Sequence, residues 1–485
     1  MRSLSDSLIE SHLVELHDSF GVPSNPTPLE KPHFVAVNNR AAQQLNISFT
    51  KPNTIENLFI LSGETIVPDT KPIATVYAGH QFGIYTSKLG DGRVHILGDI
   101  LDAQGQRWEL QLKGSGITPF SRTNNGRADL ATCVREYLGG EALHGLGIPS
   151  TRALCIIGSE GLIKGAAQQT ETLLVRFAKT HLRFGHFEYF HNQGDLESLK
   201  QLADYAVNEY YPELNIHTGA ERYLQLLYSV TDKTANLIAQ WQSVGFVHGV
   251  MNTDNMSMVG TTLDLGPYGF VENYSAGYSP NASDDQHRYA LDQQPDIGRW
   301  NCLALAEALK QLLPKQSIPA GLIRRYRKIY EQVYFTAMCN KLGLFTLQEN
   351  DTVLIETLLM HMEKHNIDYT NFFRMLSLYP DGERKLIVLF NHDAAFKHWL
   401  LMYKERLATE KLSHKYRTEH MLKINPKYIL RRHLIDEAIE LAETRKDYRR
   451  IRELLRLIQS PYVEHAAINR NETTPYSSAA LDVAL

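Results

Sequence analysis

The strongest constraint on the fold is a change of hydrophobic period along the chain. "VHILGDILDAQGQRWELQLKG", starting at Val94, holds two alternating runs around Ala-Gln-Gly-Gln and reads as a β-hairpin. In its second strand Trp108, Leu110 and Leu112 share one face, while Glu109, Gln111 and Lys113 share the other. A helical repeat follows, with Leu130, Val134, Leu138 and Ala142 at four-residue steps until Gly147 and Pro149 stop it. "RALCIIGSEG" and "ETLLVRFAK" read as two further strands. After Leu196 helical spacing dominates: Leu227, Val230, Leu237, Ile238 and Trp241 mark one helix, and Leu430, Leu434, Ala438 and Leu441 another. Strands first and helices afterwards predict an α+β chain of two lobes with a cleft at the join. The expected division is an arm-like extension over 1–75, broken by Pro-rich joints such as "GVPSNPTPLEKP", a β-rich lobe over 76–195, and a helical lobe with a C-terminal helical extension over 196–485.

Composition then removes whole classes of function. With 485 residues, 43% of them hydrophobic, the chain can bury a large core. A formal net charge of −4 gives no global basic field for nucleic acid or acidic lipid. Four scattered cysteines without a C-x-x-C pair fit free thiols better than a disulfide frame or a zinc site. No apolar run reaches the roughly 18 residues that span a bilayer, and the acidic start "MRSLSDSLIESHLVELHDSF" has no apolar signal core. The expectation is a cytoplasmic, monomeric enzyme with no membrane or nucleic-acid partner.

Chemistry concentrates in "VHGVMNTDNMSMVGTTLDLG", residues 247–266. A short hairpin through "MSMVGTTL" would return Asp264 beside Asn255, nine residues earlier, and a carboxylate with an amide oxygen suits Mg²⁺. Asn, Thr and Asp are also ordinary turn residues. Protein kinases use His-x-Asp-x-x-x-x-Asn followed by Asp-Phe-Gly. His248 and Asn255 keep that offset and Asp264-Leu265-Gly266 parallels the second step, but Val250 occupies the position of the base. Valine cannot accept a proton, which leaves Asp254 as the nearby replacement. A kinase-like cleft also predicts that Lys113 on its strand faces Glu136 on the following helix.

Other segments offer phosphate contacts. "KLGDGR" is a Gly-rich turn in which Gly90 and Gly92 permit close backbone approach and Arg93 could clasp phosphate. "LKGSGITPFSRTNNGRA" adds Arg122 and Arg127, and Arg176 and Arg183 bracket "RFAKTHLR". His181, His186 and His191 recur every five residues, off any single helix face, and read as packing histidines rather than zinc ligands. The basic run "RRIRELLR" reads as a solvated helix face.

Together "GHQFG", "LGDGR", "LQLKGSGITPFSR", "REYL", "GFVHGVMNTDNMS", "DLGPYGF" and "NPKYILR" resemble the selenoprotein O family, in the family's order, across residues 75 to 460. The resemblance implies a bilobal protein-kinase-like fold, ATP bound in a flipped orientation, and transfer of AMP to Ser, Thr or Tyr hydroxyls of proteins with pyrophosphate release. It implies Lys113 and Glu136 as an ion pair, Asp254 as proton acceptor, and Asn255 with Asp264 as ligands of Mg²⁺ or Mn²⁺. Gly90, Gly92, Arg93, Asn125, Gly126, Arg176 and Arg183 fall on its nucleotide-binding positions. Three departures stand out: Asn125 where the family usually has Asp, Leu265 where it has Tyr, and a tail, "YSSAALDVAL", without a terminal Cys or selenocysteine. A phosphoryl-transferring kinase and an ATP-binding scaffold without turnover stay open as alternatives.

Overall fold

The computed structural model describes residues 1–16, 19–122, 125–163, 169–314 and 319–465; the C-terminal tail singled out above lies outside them. Its first part is an antiparallel sheet of eight strands. They are β1 (Leu8–Ile9), β2 (Gly21–Pro23), β3 (His33–Val37), β4 (Ile73–Thr75), β7 (Val94–Leu101), β8 (Arg107–Lys113), β9 (Arg152–Leu162) and β10 (Thr170–Ala178). The order is β2-β4-β7-β8-β10-β9-β3, with β1 also on β7. A separate hairpin, β5 (Gly79–Gln81) and β6 (Ile84–Thr86), lies between β4 and β7 in the chain. The expected hairpin 94–113 is present, with Val94 opposite Lys113.

Side-chain alternation gives this sheet two different faces. Leu110, Leu112, Leu173, Val175 and Phe177 point into a core closed by the N-terminal residues Leu4, Leu8, Leu29, Ala41, Ile60 and Leu61. Leu174, Ile156 and Ala153 point the other way, against α3 (Leu130–Gly145). So residues 1–75 do more than form an arm. They supply β1–β4 and, with α1 (Asn39–Gln44) and α2 (Asn53–Leu61), cover one sheet face. Strands of two to five residues between prolines are too short to carry a period-two signal, which hid them in the sequence.

Helices follow β10 at once, starting with α4 (Phe184–Gln193) rather than after Leu196, then α5 (Leu196–Tyr210) and α6 (Gly219–Ser243). Leu227, Val230, Leu237, Ile238 and Trp241 are all buried in α6, as their spacing predicts. The chain continues through α7 (Gln294–Leu309) and α8 (Pro319–Lys341) into further helices, ending with Arg432–Arg445 and Arg449–Ile458. These last two return to α3: Ile435, Ala438, Ile451, Leu454 and Ile458 share one core with Val134, Leu138 and Ala142. Arg449, Arg452 and Arg456 face solvent, as expected for a charged helix face. Among the described residues, no helix is long and apolar enough to cross a membrane.

Candidate functional site

The polar face of β8 sets the site. Glu109, Gln111 and Lys113 share the sheet face that meets α3, and all three are buried under other polar groups instead of being solvated. Lys113 Nζ donates to Glu136 Oε2 on α3 at 2.6 Å and to Asp264 Oδ1 at 3.0 Å. Arg176, on β10 directly opposite Gln111, donates through Nη1 to Glu136 Oε1 at 2.5 Å and to Asp264 Oδ1 at 2.6 Å. Arg183, just before α4, donates to Asp264 Oδ2 and to the backbone carbonyl of Asp254, the latter at 2.9 Å. Three cations thus converge on two carboxylates. Burial works against both acids, yet for Asp264 the cations Arg183, Lys113 and Arg176 outweigh it and hold the carboxyl well below the usual carboxylate range. Lys113 and Arg176 likewise keep the Glu136 carboxyl low.

Two glycines let this arrangement close. Gly139 and Gly140 on α3 leave room for Tyr268, the carbonyl of Thr151 and Leu265; a Cβ on Gly139 would lie 2.5 Å from the Tyr268 ring. Leu265 is buried in the core beneath α3, so its exchange for an aromatic residue is a packing matter. Asp264 itself adopts φ 51°, a left-handed conformation that is costly for a residue with a Cβ and that recurs at functional sites.

The loop 247–264 is assembled differently from the expected hairpin. Ser257 bridges to Arg183 and Thr262 to Ser150, so the two arms of "MSMVGTTL" pair with separate elements and not with each other. Convergence comes instead through His248. Its Nε2 bonds the Leu263 carbonyl at 2.8 Å, and its Nδ1 accepts from the Val250 N–H at 3.3 Å. Asn255 Nδ2 then donates to the Val250 carbonyl at 2.9 Å, which commits the amide nitrogen and leaves the side-chain oxygen as the ligand-capable atom. No direct bond joins Asn255 to Asp264 among the described residues.

Asp254 sits on a short turn, Thr253–Asn255, and is 7% exposed. Its Oδ1 is buried with no hydrogen-bond partner among the described residues, and Gln81 Nε2 lies 3.5 Å from Oδ2. Burial pushes its carboxyl up to about 6, against the pull of Arg183. A carboxylate so poised is suited to accept a proton near neutral pH. The β5–β6 hairpin straps this turn. The His80 N–H donates to Thr253 Oγ1 at 2.7 Å, Thr253 Oγ1 donates to Glu188 Oε2 at 2.6 Å, and His80 Nδ1 meets Glu188 Oε1 at 2.7 Å. Gly79 packs so tightly that a Cβ there would lie 2.9 Å from Asp254 Oδ1.

The two glycine-rich loops rim the same end of the sheet. The Arg93 carbonyl accepts from Gly114 N–H at 2.8 Å beside Lys113, and the Arg93 side chain makes no hydrogen bond or ion pair among the described residues. Asp91 anchors its loop on the Thr75 N–H and hydroxyl. Gly90 has φ 114°, and Cβ atoms on Gly90 and Gly92 would meet Phe120 at 2.8 and 2.9 Å. Gly126, at φ 70°, lies against Gly116, where a Cβ would come within 2.1 Å. Asn125 Oδ1 accepts from the Arg127 N–H at 3.0 Å, a turn bond that Asp would also make. Arg127 is engaged within the fold: it donates to the carbonyls of Thr27 and Pro28 and pairs with Glu171. Arg122 is exposed, apart from the cluster.

His181 and His186 hydrogen-bond within the fold, to Glu109 and to Thr75 with the Arg183 N–H. Among the described residues, no three or more His, Cys, Asp or Glu gather to hold a metal. Two supports escaped sequence reasoning. Tyr77 lies 5.0 Å beneath the Arg183 guanidinium, and Gln111 accepts from Arg176. Alternation along β8 placed Gln111 on the right face, but only the strand register reveals its partner.

Residues 4–459 match the family model described as protein adenylyltransferase SelO. The protein nucleotidyltransferase YdiU of Myxococcus xanthus is 41% identical over 99% of this chain and 97% of its own length. Those of Thioalkalivibrio sulfidiphilus and Photobacterium profundum are 41% and 40% identical, over 98% and 100% of this chain and 97% and 99% of theirs.

Proposed function

Since the chain belongs to the SelO family of protein adenylyltransferases, we propose that it transfers AMP from ATP to Ser, Thr or Tyr hydroxyls of proteins, within a protein-kinase-like bilobal fold. The observation that carries this reading is the single network of Lys113, Glu136, Arg176, Arg183 and Asp264, tied to Asp254 through the Arg183 guanidinium. The buried cations of this network suit the outer phosphates, where most of the charge lies. That direction leaves the α-phosphorus toward Asp254 and the solvent, where an acceptor hydroxyl arrives. Arg93, unpaired at the rim, and the tight turns at Gly90, Gly92, Asn125 and Gly126 complete the nucleotide site.

In the transfer, the acceptor oxygen attacks the α-phosphorus, the bond to the bridging oxygen of the β-phosphate breaks, and pyrophosphate leaves. Asp254 takes the hydroxyl proton, which Val250 cannot do. Lys113, oriented by Glu136, holds phosphate oxygens in line. Oxygens of Asn255 and Asp264 fit a hard divalent cation, Mg²⁺ or Mn²⁺, and the free side-chain oxygen of Asn255 is the observation that favours it. When bound, such a cation neutralises phosphate charge. Measurement of the released product tests the reading: pyrophosphate without ADP supports it, and ADP alone overturns it.

Two variants probe the geometry. Lys113→Ala is expected to lower transfer by roughly 10²–10³, the usual loss for one preorganised electrostatic contact. The fold should persist, because Glu136 keeps Arg176 as a partner; wild-type turnover would contradict the phosphate role. Gly79→Ala is expected to displace Asp254, whose Cβ and Oδ1 would lie 3.0 and 2.9 Å from the new methyl group. Turnover should fall on the order of 10²-fold with ATP affinity retained, as misplacement of a reacting group by an ångström can do. Steady-state kinetics beside ATP titration checks this.

A further inference from the structure

Gln111 has no part in the chemistry assigned above, yet it makes two bonds to a residue that does. It stands opposite Arg176 across β8 and β10, and both side chains are 1% exposed. Its Oε1 accepts from Arg176 Nε at 3.0 Å and Nη2 at 2.8 Å. A guanidinium only donates, so the amide oxygen must be the atom facing it. The two bonds fix the guanidinium plane and turn the remaining Nη1 toward Glu136 and Asp264. A Glu at 111 would make the stronger, charge-assisted pair. It would also add a negative charge: the direct ion-pair partners of Lys113, Arg176 and Arg183 are Glu136 and Asp264, the Asp91 and Asp254 carboxylates already act on Arg183, and one more carboxylate against Arg176 would offset charge that the phosphates need. Arg183 is backed in the same uncharged way, by the Tyr77 ring.

We propose that Gln111 is a positioning residue for nucleotide binding, whose neutral side chain aims Arg176 while leaving its charge for the phosphates. The inference rests on the reading of Arg176 as a phosphate ligand. ATP and AMP titrations by calorimetry on the full chain, with melting temperatures, test it. Gln111→Glu should melt no lower than wild type, yet bind ATP roughly tenfold more weakly, with AMP binding unchanged, because a buried like charge opposes the phosphates. Gln111→Met, neutral and of similar size, removes the acceptor and should also weaken ATP binding roughly tenfold. A packing role predicts wild-type ATP affinity for both. Wild-type ATP affinity in either folded variant overturns the inference. Arg176→Ala separates the premise: if that variant binds ATP as wild type does, the phosphate reading itself is wrong.

Discussion

Asp254→Ala is expected to lower AMP transfer by roughly 10²–10⁴, the usual contribution of a positioned base, while Mg·ATP affinity stays within a few fold of wild type. The structure separates the two effects. Arg183 is anchored on the Asp254 backbone carbonyl, which alanine retains, so the cation cluster keeps its geometry. What is lost is a carboxylate whose buried Oδ1 has no hydrogen-bond partner among the described residues. Stability should not suffer. Burial raises the folded carboxyl to about 6, above its unfolded value, so at neutral pH the ionised group opposes folding and its removal relieves that cost. Rates, calorimetric titration and a melting curve on the same preparation check all three. Loss of the Mg²⁺-dependent part of ATP binding as complete as that expected for Asp264→Ala would assign Asp254 to the cation site.

Asp264→Ala is expected to abolish the metal dependence of ATP binding and to reduce transfer by roughly 10³-fold, a loss of several kcal/mol of charge stabilisation. Asp264 differs from Asp254 in being bonded on both oxygens: Lys113 and Arg176 share Oδ1, and Arg183 takes Oδ2. Removing it leaves Lys113 and Arg176 with Glu136 as their ion-pair partner and takes from Arg183 its direct carboxylate contact. ATP binding without added cation should therefore be kept or strengthened, even as the increment from Mg²⁺ vanishes. Titrations of both proteins with and without Mg²⁺ measure that increment directly. An undiminished Mg²⁺ effect in the variant would remove Asp264 from the cation site.

Local periodicity made much of this site legible. Period-two alternation placed Lys113 on the polar face of β8, and four-residue spacing placed Glu136 off the apolar stripe of α3; the structure joins them at 2.6 Å. What the sequence hid depends on long-range contacts. Asp264 is held toward Lys113, Arg176 and Arg183 by the His248 bond to the Leu263 carbonyl, while the arms on either side of the turn at Ser257–Gly260 bridge to Arg183 and Ser150. Arg127 looked as available as Arg176, but the carbonyls of Thr27 and Pro28 that occupy it come from far earlier in the chain. The same holds for β1–β4, whose pairing partners lie elsewhere in the sheet and whose few residues carry no pattern of their own.

The phosphate cluster is expected to leave the α-phosphorus, and not the γ, to the acceptor hydroxyl near Asp254. Two parallel incubations with an acceptor protein decide it, one with ATP radiolabelled at the α-phosphorus and the other with ATP labelled at the γ-phosphorus. Protein-bound label is expected from the α-labelled nucleotide alone, and is expected to be lost in Asp254→Ala. Label from the γ-position would make the chain a phosphoryl-transferring kinase, and label from neither an ATP-binding scaffold; either result would rule out AMP transfer.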